Sequence, residues 1–144
     1  MPIRPDLRAA YPANWLDISH RVRFERARGR CQDCGRPHLV RVRRLPDGRW
    51  YDDLAGTWRD RRGQPAAWPD IVEATTIRRT LVVLAAAHLD HNPRNNRPRN
   101  LRALCQRCHL AHDIEHHRHQ RWMTYRRRWA IGDLFHGSYA PLAP

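Results

Sequence analysis

Residues 88–109 decide the fold. They read His88-Leu-Asp-His-Asn-Pro93, then a loop rich in asparagine and arginine, then Asn100-Leu-Arg-Ala-Leu-Cys-Gln-Arg-Cys-His109. Ile77 and the apolar run at residues 81–84 come just before and predict a largely buried strand. Pro93 indicates that this strand ends at the loop. The sequence after Cys108 is compatible with a helix as far as Ala130, with Gly132 as its stop. We therefore expect a strand, a loop and a long helix, in that order.

The cysteines form two CxxC pairs, Cys31/Cys34 and Cys105/Cys108. Each pair presents two thiolates at the spacing that tetrahedral zinc requires, so the pattern predicts one structural zinc that joins two distant segments. Four protein thiolates fill the coordination shell and leave no position for a catalytic water. Two alternatives stay open: four buried thiols without metal, and a redox CxxC, which is disfavoured because no βαβ pattern surrounds either pair.

Upstream of the first pair, Trp15, Ile18 and Val22 predict a short amphipathic helix that stops at Gly29. Downstream of the first pair, apolar residues and arginines alternate at residues 39–43, and a second strand-like stretch follows at residues 49–51. The pattern predicts a hairpin with arginines on one face. Residues 52–70 carry glycine and proline among charges and are expected to be a loop or an insertion.

Charge indicates the kind of partner. The 144 residues carry a formal net charge of +13, and all 27 basic residues are arginine. Such a surface attracts a polyanion, and nucleic acid is the leading candidate, although the arginine bias also fits a GC-rich genome. The arginines expected to contact phosphate lie on the hairpin, before the predicted strand and near the carboxyl end: Arg41, Arg43, Arg78, Arg79, Arg126, Arg127 and Arg128.

The sequence contains no signal-like stretch and no apolar segment of the roughly 20 residues that a membrane span needs. We therefore expect a cytoplasmic protein of a bacterial or phage-infected cell that makes no membrane contact. A cytoplasmic location also favours metal binding over disulfides for the four cysteines. The oligomeric state is left open.

Together these motifs resemble a known family. The run 88–93, the run 100–109 and His112 are similar to the HNH nuclease motif in its cysteine-flanked form. Tyr11-Pro12, Trp15, Ile18, Arg23 and the first cysteine pair resemble the front of small phage-type HNH proteins. The resemblance implies an α+β fold with a ββα-metal core, a four-cysteine zinc site, an added hairpin and a long C-terminal helix. We expect one domain over residues 1–144: a helical segment (1–30), a zinc knuckle with hairpin and insertion (31–86), the catalytic motif with the long helix (87–131) and a tail (132–144).

The same resemblance implies roles for individual residues. Asp90 and Asn100 correspond to oxygen ligands of a catalytic Mg²⁺ or Mn²⁺, which prefer such ligands. His91 corresponds to the general base, and His109 binds either the metal or the scissile phosphate. His88, Asn96 and His112 are candidates to support these groups, and Asn95 or Asn96 could replace Asn100 as the motif asparagine. The later histidines, His116, His117 and His119, are expected to be structural or exposed.

The implied activity is metal-dependent hydrolysis of DNA phosphodiester bonds by a histidine base and one divalent ion. A different interpretation is a noncatalytic, zinc-dependent nucleic-acid-binding module on the same scaffold. A third, an RNA-binding zinc protein, rests on charge alone. Only the enzyme needs the complete set of Asp90, His91, Asn100 and His109. The sequence does not decide the DNA target, or between nicking and double-strand cleavage.

Overall fold

The computed structural model describes the backbone of residues 5–129 and the side chains of residues 8–127. The chain divides into two units, with the boundary between Ala111 and His112. The fold class is α+β, as expected. The elements are α1 (Trp15–His20, continued by a π-helical turn at Arg21–Arg26), β1 (Arg41–Arg44), β2 (Trp50–Asp52), β3 (Thr57–Arg59), α2 (Ile71–Thr75), β4 (Arg78–Leu81), β5 (Leu84–His88), β6 (Leu101–Cys105) and α3 (Gln106–Trp129), with short 3-10 turns at Pro5–Ala10 and Pro98–Asn100.

The predicted N-terminal helix is confirmed. Its apolar side packs Ile18 and Val22 against Leu101 and Ala103 of β6. Gly29 ends it, because its backbone lies at φ +67 and its N–H donates to the Arg23 carbonyl at 2.9 Å. Such a left-handed residue after a helix is normally glycine, since it lacks the Cβ that would be strained there.

The predicted hairpin is also confirmed, as β1 and β2, but it is part of a four-stranded antiparallel sheet with the order β3-β2-β1-β4. Residues 52–70 were expected to be a loop or an insertion, and the loop alternative is wrong because β3 lies within them and pairs Trp58 with Tyr51. Trp58 is buried, so the strand gains the burial of a large aromatic side chain. Residues 65–70 follow, and Asp70 and Glu73 form a capping box that starts α2.

The single buried strand expected through residues 81–84 is wrong. β4 ends at Leu81 in the four-stranded sheet, whereas β5 starts at Leu84 and pairs with β6 in a second, two-stranded sheet. Val82 and Leu84 are buried, but Leu81 and Val83 are each 37% exposed. Burial therefore alternates along this run, as it does along a strand with two different faces, and an apolar run alone could not show the change of sheet.

The second sheet leads directly into the long helix. β5 and β6 are antiparallel from Leu84↔Cys105 to His88↔Leu101, and α3 starts at Gln106, immediately after β6 and earlier than expected. The part of α3 predicted at Ala130, the stop at Gly132 and the tail at 132–144 lie outside the described residues. Among the described helices, none is both long enough and apolar enough to cross a membrane.

One buried cluster joins the two sheets to the cysteines. It contains side chains from β1, β2, β5, β6 and the first CxxC pair. The cysteine-bearing segment is therefore at the centre of the first unit, between the strands that carry the sequence motif and the arginine-bearing sheet. Its members are Cys31, Cys34, Val42, Trp50, Val82, Leu84, Ala87, Leu104 and Cys105.

Candidate metal and catalytic site

The four cysteines converge at one point. Their Sγ atoms lie within 4.8 Å of one another, and Cys34 Sγ is 3.6 Å from Cys105 Sγ. Two ligands at about 2.3 Å from a tetrahedral zinc lie roughly 3.8 Å apart, so the spacing fits zinc. None of the four forms a disulfide, and three of them are buried. The predicted four-cysteine set could hold a metal such as zinc, and the donor chemistry selects a thiophilic ion.

Donors from the protein surround these sulfurs. The Arg36 guanidinium donates to Cys34 Sγ at 3.4 Å, and the backbone N–H of Cys105 donates to Cys31 Sγ at 3.3 Å. Arg36 is buried and lies 5.3 Å from the centre of the Trp50 ring. Four thiolates around Zn²⁺ carry a net charge of about −2, so a buried cation beside them offsets charge that would otherwise be costly to bury. Sequence reasoning did not identify Arg36, since its role depends on this contact.

Hydrogen bonds among the four cysteines shift their pKa values in different directions. Hydrogen bonding with Cys108 holds the pKa of Cys105 far below its ordinary value, whereas hydrogen bonding with Cys105 raises the pKa of Cys34 and of Cys108. The cluster therefore favours the thiolate at Cys105, the form that binds a metal.

Asp90 lies in the turn after β5 and is held by three donors. Oδ1 accepts from Asn100 Nδ2 at 2.8 Å and from the Asn92 backbone N–H at 2.9 Å, and Oδ2 accepts from Asn95 Nδ2 at 2.6 Å. These bonds, led by the one from Asn100, lower the pKa of Asp90 to about 2. Asp90 is thus an exposed carboxylate that stays ionised throughout the physiological range.

Asn100 is buried, and both ends of its carboxamide are used. Its Oδ1 accepts from the Asp90 backbone N–H at 3.2 Å, while its Nδ2 donates to Asp90 Oδ1 and to the Asn95 carbonyl, each at 2.8 Å. The predicted role of Asn100 as a metal ligand stays a prediction. The hydrogen bonds indicate a positioning role, because they fix the turn that carries Asp90. Asn95, which the sequence left as an alternative, also binds Asp90.

His91 follows Asp90 in an unusual backbone conformation. The strand was predicted to end before the loop at Pro93, and it ends at His88. His91 has φ +58, in the left-handed region that non-glycine residues rarely adopt. In a continuing strand, Asp90 and His91 would point to opposite faces. The turn removes that constraint, at a cost of about 1–3 kcal/mol for the strained residue.

His88 supports the same turn through its ring. Its Nε2 lies 3.0 Å from Asn96 Oδ1, and Asn96 Nδ2 donates to the Pro93 carbonyl at 3.2 Å. The Trp15 ring stacks on the buried His88 ring, with centroids 5.1 Å apart and planes 17° apart, and the Tyr11 ring meets it edge-on. The predicted support by His88 and Asn96 therefore has a geometric basis, and Trp15 and Tyr11 complete it.

The helix α3 carries the remaining candidates. His109 and His112 are both half-buried, and His112 follows His109 by three residues. Asp113, which the sequence reasoning passed over, is buried, and its Oδ2 lies 3.9 Å from His117 Nε2. His116 is half-buried, whereas His117 and His119 are exposed as expected. Whether His109 contacts a metal or a phosphate stays a prediction.

Within the first unit, the predicted DNA-contacting arginines lie on both faces of the four-stranded sheet. Arg43 pairs with Arg79 across β1 and β4, and Arg41 is two residues from Arg43, so these three lie on one face of the sheet. Arg78 pairs with Arg44 on the other face. On α3, Arg126 lies 4.9 Å from the Trp122 ring centre and Arg127 is half-buried, while the side chain of Arg128 lies outside the described residues.

Comparison with protein-family models, with curated proteins and with solved structures gives no match for this chain. Any function assigned to it therefore rests on its own residues and their geometry.

Proposed function

We propose that this protein is a metal-dependent endonuclease of the HNH type that hydrolyses phosphodiester bonds in DNA. The observation that carries the proposal is the turn after β5. It holds an ionised Asp90, with a pKa of about 2, next to a strained His91, and Asn100 fixes it from within the protein. The order β5, β6, α3 supports the proposal, because it brings the two strands and the helix of the motif into direct succession.

In this proposal each side chain has one task. The His91 imidazole accepts a proton from a water molecule, and the hydroxide that forms attacks phosphorus. The bond from phosphorus to the 3′ oxygen breaks, and that oxygen takes a proton from solvent, so the products are a 5′ phosphate and a 3′ hydroxyl. The surrounding arginines neutralise the phosphates of the bound strand.

A bound Mg²⁺ or Mn²⁺ would supply charge stabilisation for the pentacoordinate phosphorus and the leaving oxygen. Asp90 fits it, because an ionised carboxylate is the ligand that hard cations prefer and Oδ2 accepts only one described hydrogen bond. His109 is the proposed second ligand. We assign Asn100 to positioning Asp90, since its carboxamide oxygen already accepts a hydrogen bond from the Asp90 backbone. Zinc at the four cysteines is structural.

The test is cleavage of supercoiled plasmid by the zinc-loaded protein, with Mg²⁺ or Mn²⁺ added. His91→Ala should lower the rate at least roughly 100-fold, since a positioned general base contributes about 10²–10⁴-fold. The matched control is His20→Ala, which removes an exposed histidine from α1 and should leave the rate unchanged. Equal rates for the two variants would contradict the role of His91.

A second variant tests the turn. Asn100→Ala removes the leading cause of the lowered Asp90 pKa, so that pKa should rise toward its ordinary value of 3.8, measured by carboxyl NMR titration. Cleavage should fall about 10- to 100-fold, as expected when a supporting contact of a metal ligand is lost. Asn92→Ala is the control, because Asn92 binds Asp90 through its backbone N–H. An unchanged Asp90 pKa in Asn100→Ala would overturn the positioning role.

The noncatalytic binding module remains the second candidate, and one observation favours it. The hydrogen bonds within the turn satisfy most of the acceptor capacity of Asp90 from the protein itself, so this turn is stable without a cation. If no divalent metal supports cleavage of duplex, branched or single-stranded DNA, while DNA binding persists, this second function replaces the first.

A further inference from the structure

The outer face of the four-stranded sheet combines cationic and aromatic side chains. Because paired residues point to the same side, Arg41 and Arg43 of β1 share this face with Arg79 of β4, with Tyr51 of β2 and with Trp58 of β3. The segment after β3 adds Trp68, whose ring contacts Tyr51 edge-on with centroids 5.7 Å apart. We call this surface the Arg-Trp face: Arg41, Arg43, Tyr51, Trp68 and Arg79.

The aromatic part of the Arg-Trp face is pre-organised. Tyr51 contacts the rings of Trp58 and Trp68 at 5.6 and 5.7 Å, and the Arg43 guanidinium lies 4.3 Å from the centre of the Tyr51 ring. Trp58 is buried, whereas Trp68 is 64% exposed. The Trp68 ring is positioned by its contact with Tyr51. An exposed aromatic ring beside arginines offers a flat face on which another ring can stack.

The charges on the Arg-Trp face identify the partner as an anion. Arg43 and Arg79 are directly opposite each other, and like charges in such a pair repel. Asp53 forms an ion pair with Arg43, and Asp70, two residues after Trp68, accepts a hydrogen bond from the Glu73 backbone N–H. Arg41 and Arg79 make no hydrogen bond or ion pair with side chains that the structure describes. The face therefore presents unneutralised cations beside an exposed indole.

A paired duplex offers phosphates to such a face but keeps its bases stacked inside. An unpaired strand offers both phosphates and flat bases, and aromatic side chains beside arginines bind it through stacking together with charge. We propose that the Arg-Trp face binds single-stranded nucleic acid, with a base stacked on Trp68 and phosphates on Arg41 and Arg79. The proposal names the substrate class of the nuclease as nucleic acid with an unpaired segment. That the bound strand is a substrate rests on the proposed function.

The experiment measures how the zinc-loaded protein of residues 1–144 binds a labelled oligo(dT) of about 20 nucleotides and a blunt duplex of the same length. Binding is followed by fluorescence anisotropy without Mg²⁺ or Mn²⁺. Trp68→Ala should weaken oligo(dT) binding at least roughly fivefold and duplex binding less than about twofold. Trp68→Phe keeps a ring and should restore most of the affinity. Arg79→Ala should reduce the slope of log affinity against log salt by about 0.7 for the single strand.

The control is Trp122→Ala, because Trp122 is also about half exposed and also lies beside an arginine, but it belongs to α3. An equal loss in Trp122→Ala, an equal loss on duplex and single strand, or no loss in Trp68→Ala would each overturn the proposal. Failure of the proposed function is distinguishable: normal single-strand binding with no cleavage in any metal contradicts the nuclease but leaves the Arg-Trp face as a binding surface.

Discussion

Single residues join segments that are far apart in the sequence, and His38 is a clear case. Its Nδ1 accepts a hydrogen bond from the Leu84 backbone N–H at 2.9 Å, where β5 begins, and its ring meets Phe24 edge-on. An acceptor nitrogen must be unprotonated. The neutral form of His38 therefore connects the N-terminal helical segment to the strand that leads to Asp90.

This contact makes stability depend on pH. Burial, with a smaller effect from Arg23, lowers the pKa of His38 below its ordinary 6.5, so the unfolded chain binds the proton more readily. The stabilisation is complete above pH 6.5 and decreases as the pH falls through the lower, folded-state pKa. We expect His38→Ala to be less stable than wild type at about pH 7.5 and to lose less further stability at about pH 5.5.

Urea denaturation of both proteins at the two pH values measures that difference, and His20→Ala serves as the control for an exposed histidine. Protonation of the cysteines affects all three proteins alike, so the comparison isolates His38. A His38→Ala protein that loses as much stability as wild type between the two pH values would contradict this role of His38.

Among the elements, the segment that follows β3 is more than a connection. It returns to the first CxxC pair at Gly63, which has φ +82. An added Cβ on Gly63 would lie 2.8 Å from the Cys34 carbonyl oxygen. Arg59 of β3 donates to the Gly63 carbonyl at 2.9 Å and to the buried Asp52 at 2.9 Å. The segment after β3 and the first CxxC pair are thus in close backbone contact at Gly63.

Alanine substitutions at Gly56 and Gly63 distinguish the cost of a left-handed backbone from the cost of the close contact with Cys34. Gly56 has φ +63 but no atom within 4 Å of an added Cβ, so Gly56→Ala should cost only the left-handed conformation, about 1–2 kcal/mol. Gly63→Ala adds a clash with backbone that cannot rotate away, and we expect at least ~1 kcal/mol more. Denaturation of the zinc-loaded proteins measures both costs. Equal losses would show that the contact with Cys34 is unimportant.

At the scale of the whole molecule, zinc is expected to be a condition for folding. The cysteines lie in a buried cluster with side chains from strands of both sheets. Without a metal, this cluster would contain four thiols that no metal–sulfur bond holds together. Because a site of this kind does not exist in the unfolded chain, its binding free energy is also folding free energy.

We therefore expect one zinc per chain by elemental analysis and a loss of at least ~5 kcal/mol of stability when a chelator removes it. Cys105→Ser should have the same effect without a chelator. Far-ultraviolet circular dichroism during chelation and zinc re-addition follows the change and its reversal. Rapid reaction of all four thiols in the untreated protein, without bound zinc, would contradict a structural metal.

The sequence by itself determined the features that depend on neighbours along the chain. The spacing of Cys105 and Cys108 limits how two thiolates can meet a metal, Pro93 indicates a loop after the strand, and alternation at residues 39–43 predicts a hairpin. These are local constraints, and the structure contains the corresponding elements.

Only the tertiary structure decided which distant residues meet. It placed β3 in the sheet, split the apolar run at 81–84 between two sheets, and set Trp15 on His88. It also hydrogen-bonded the Asn100 carboxamide to Asp90. Each of these contacts depends on which distant segments compete to bury and pair with one another as the chain folds. The pattern of side chains within a short stretch of sequence carries no information on that competition.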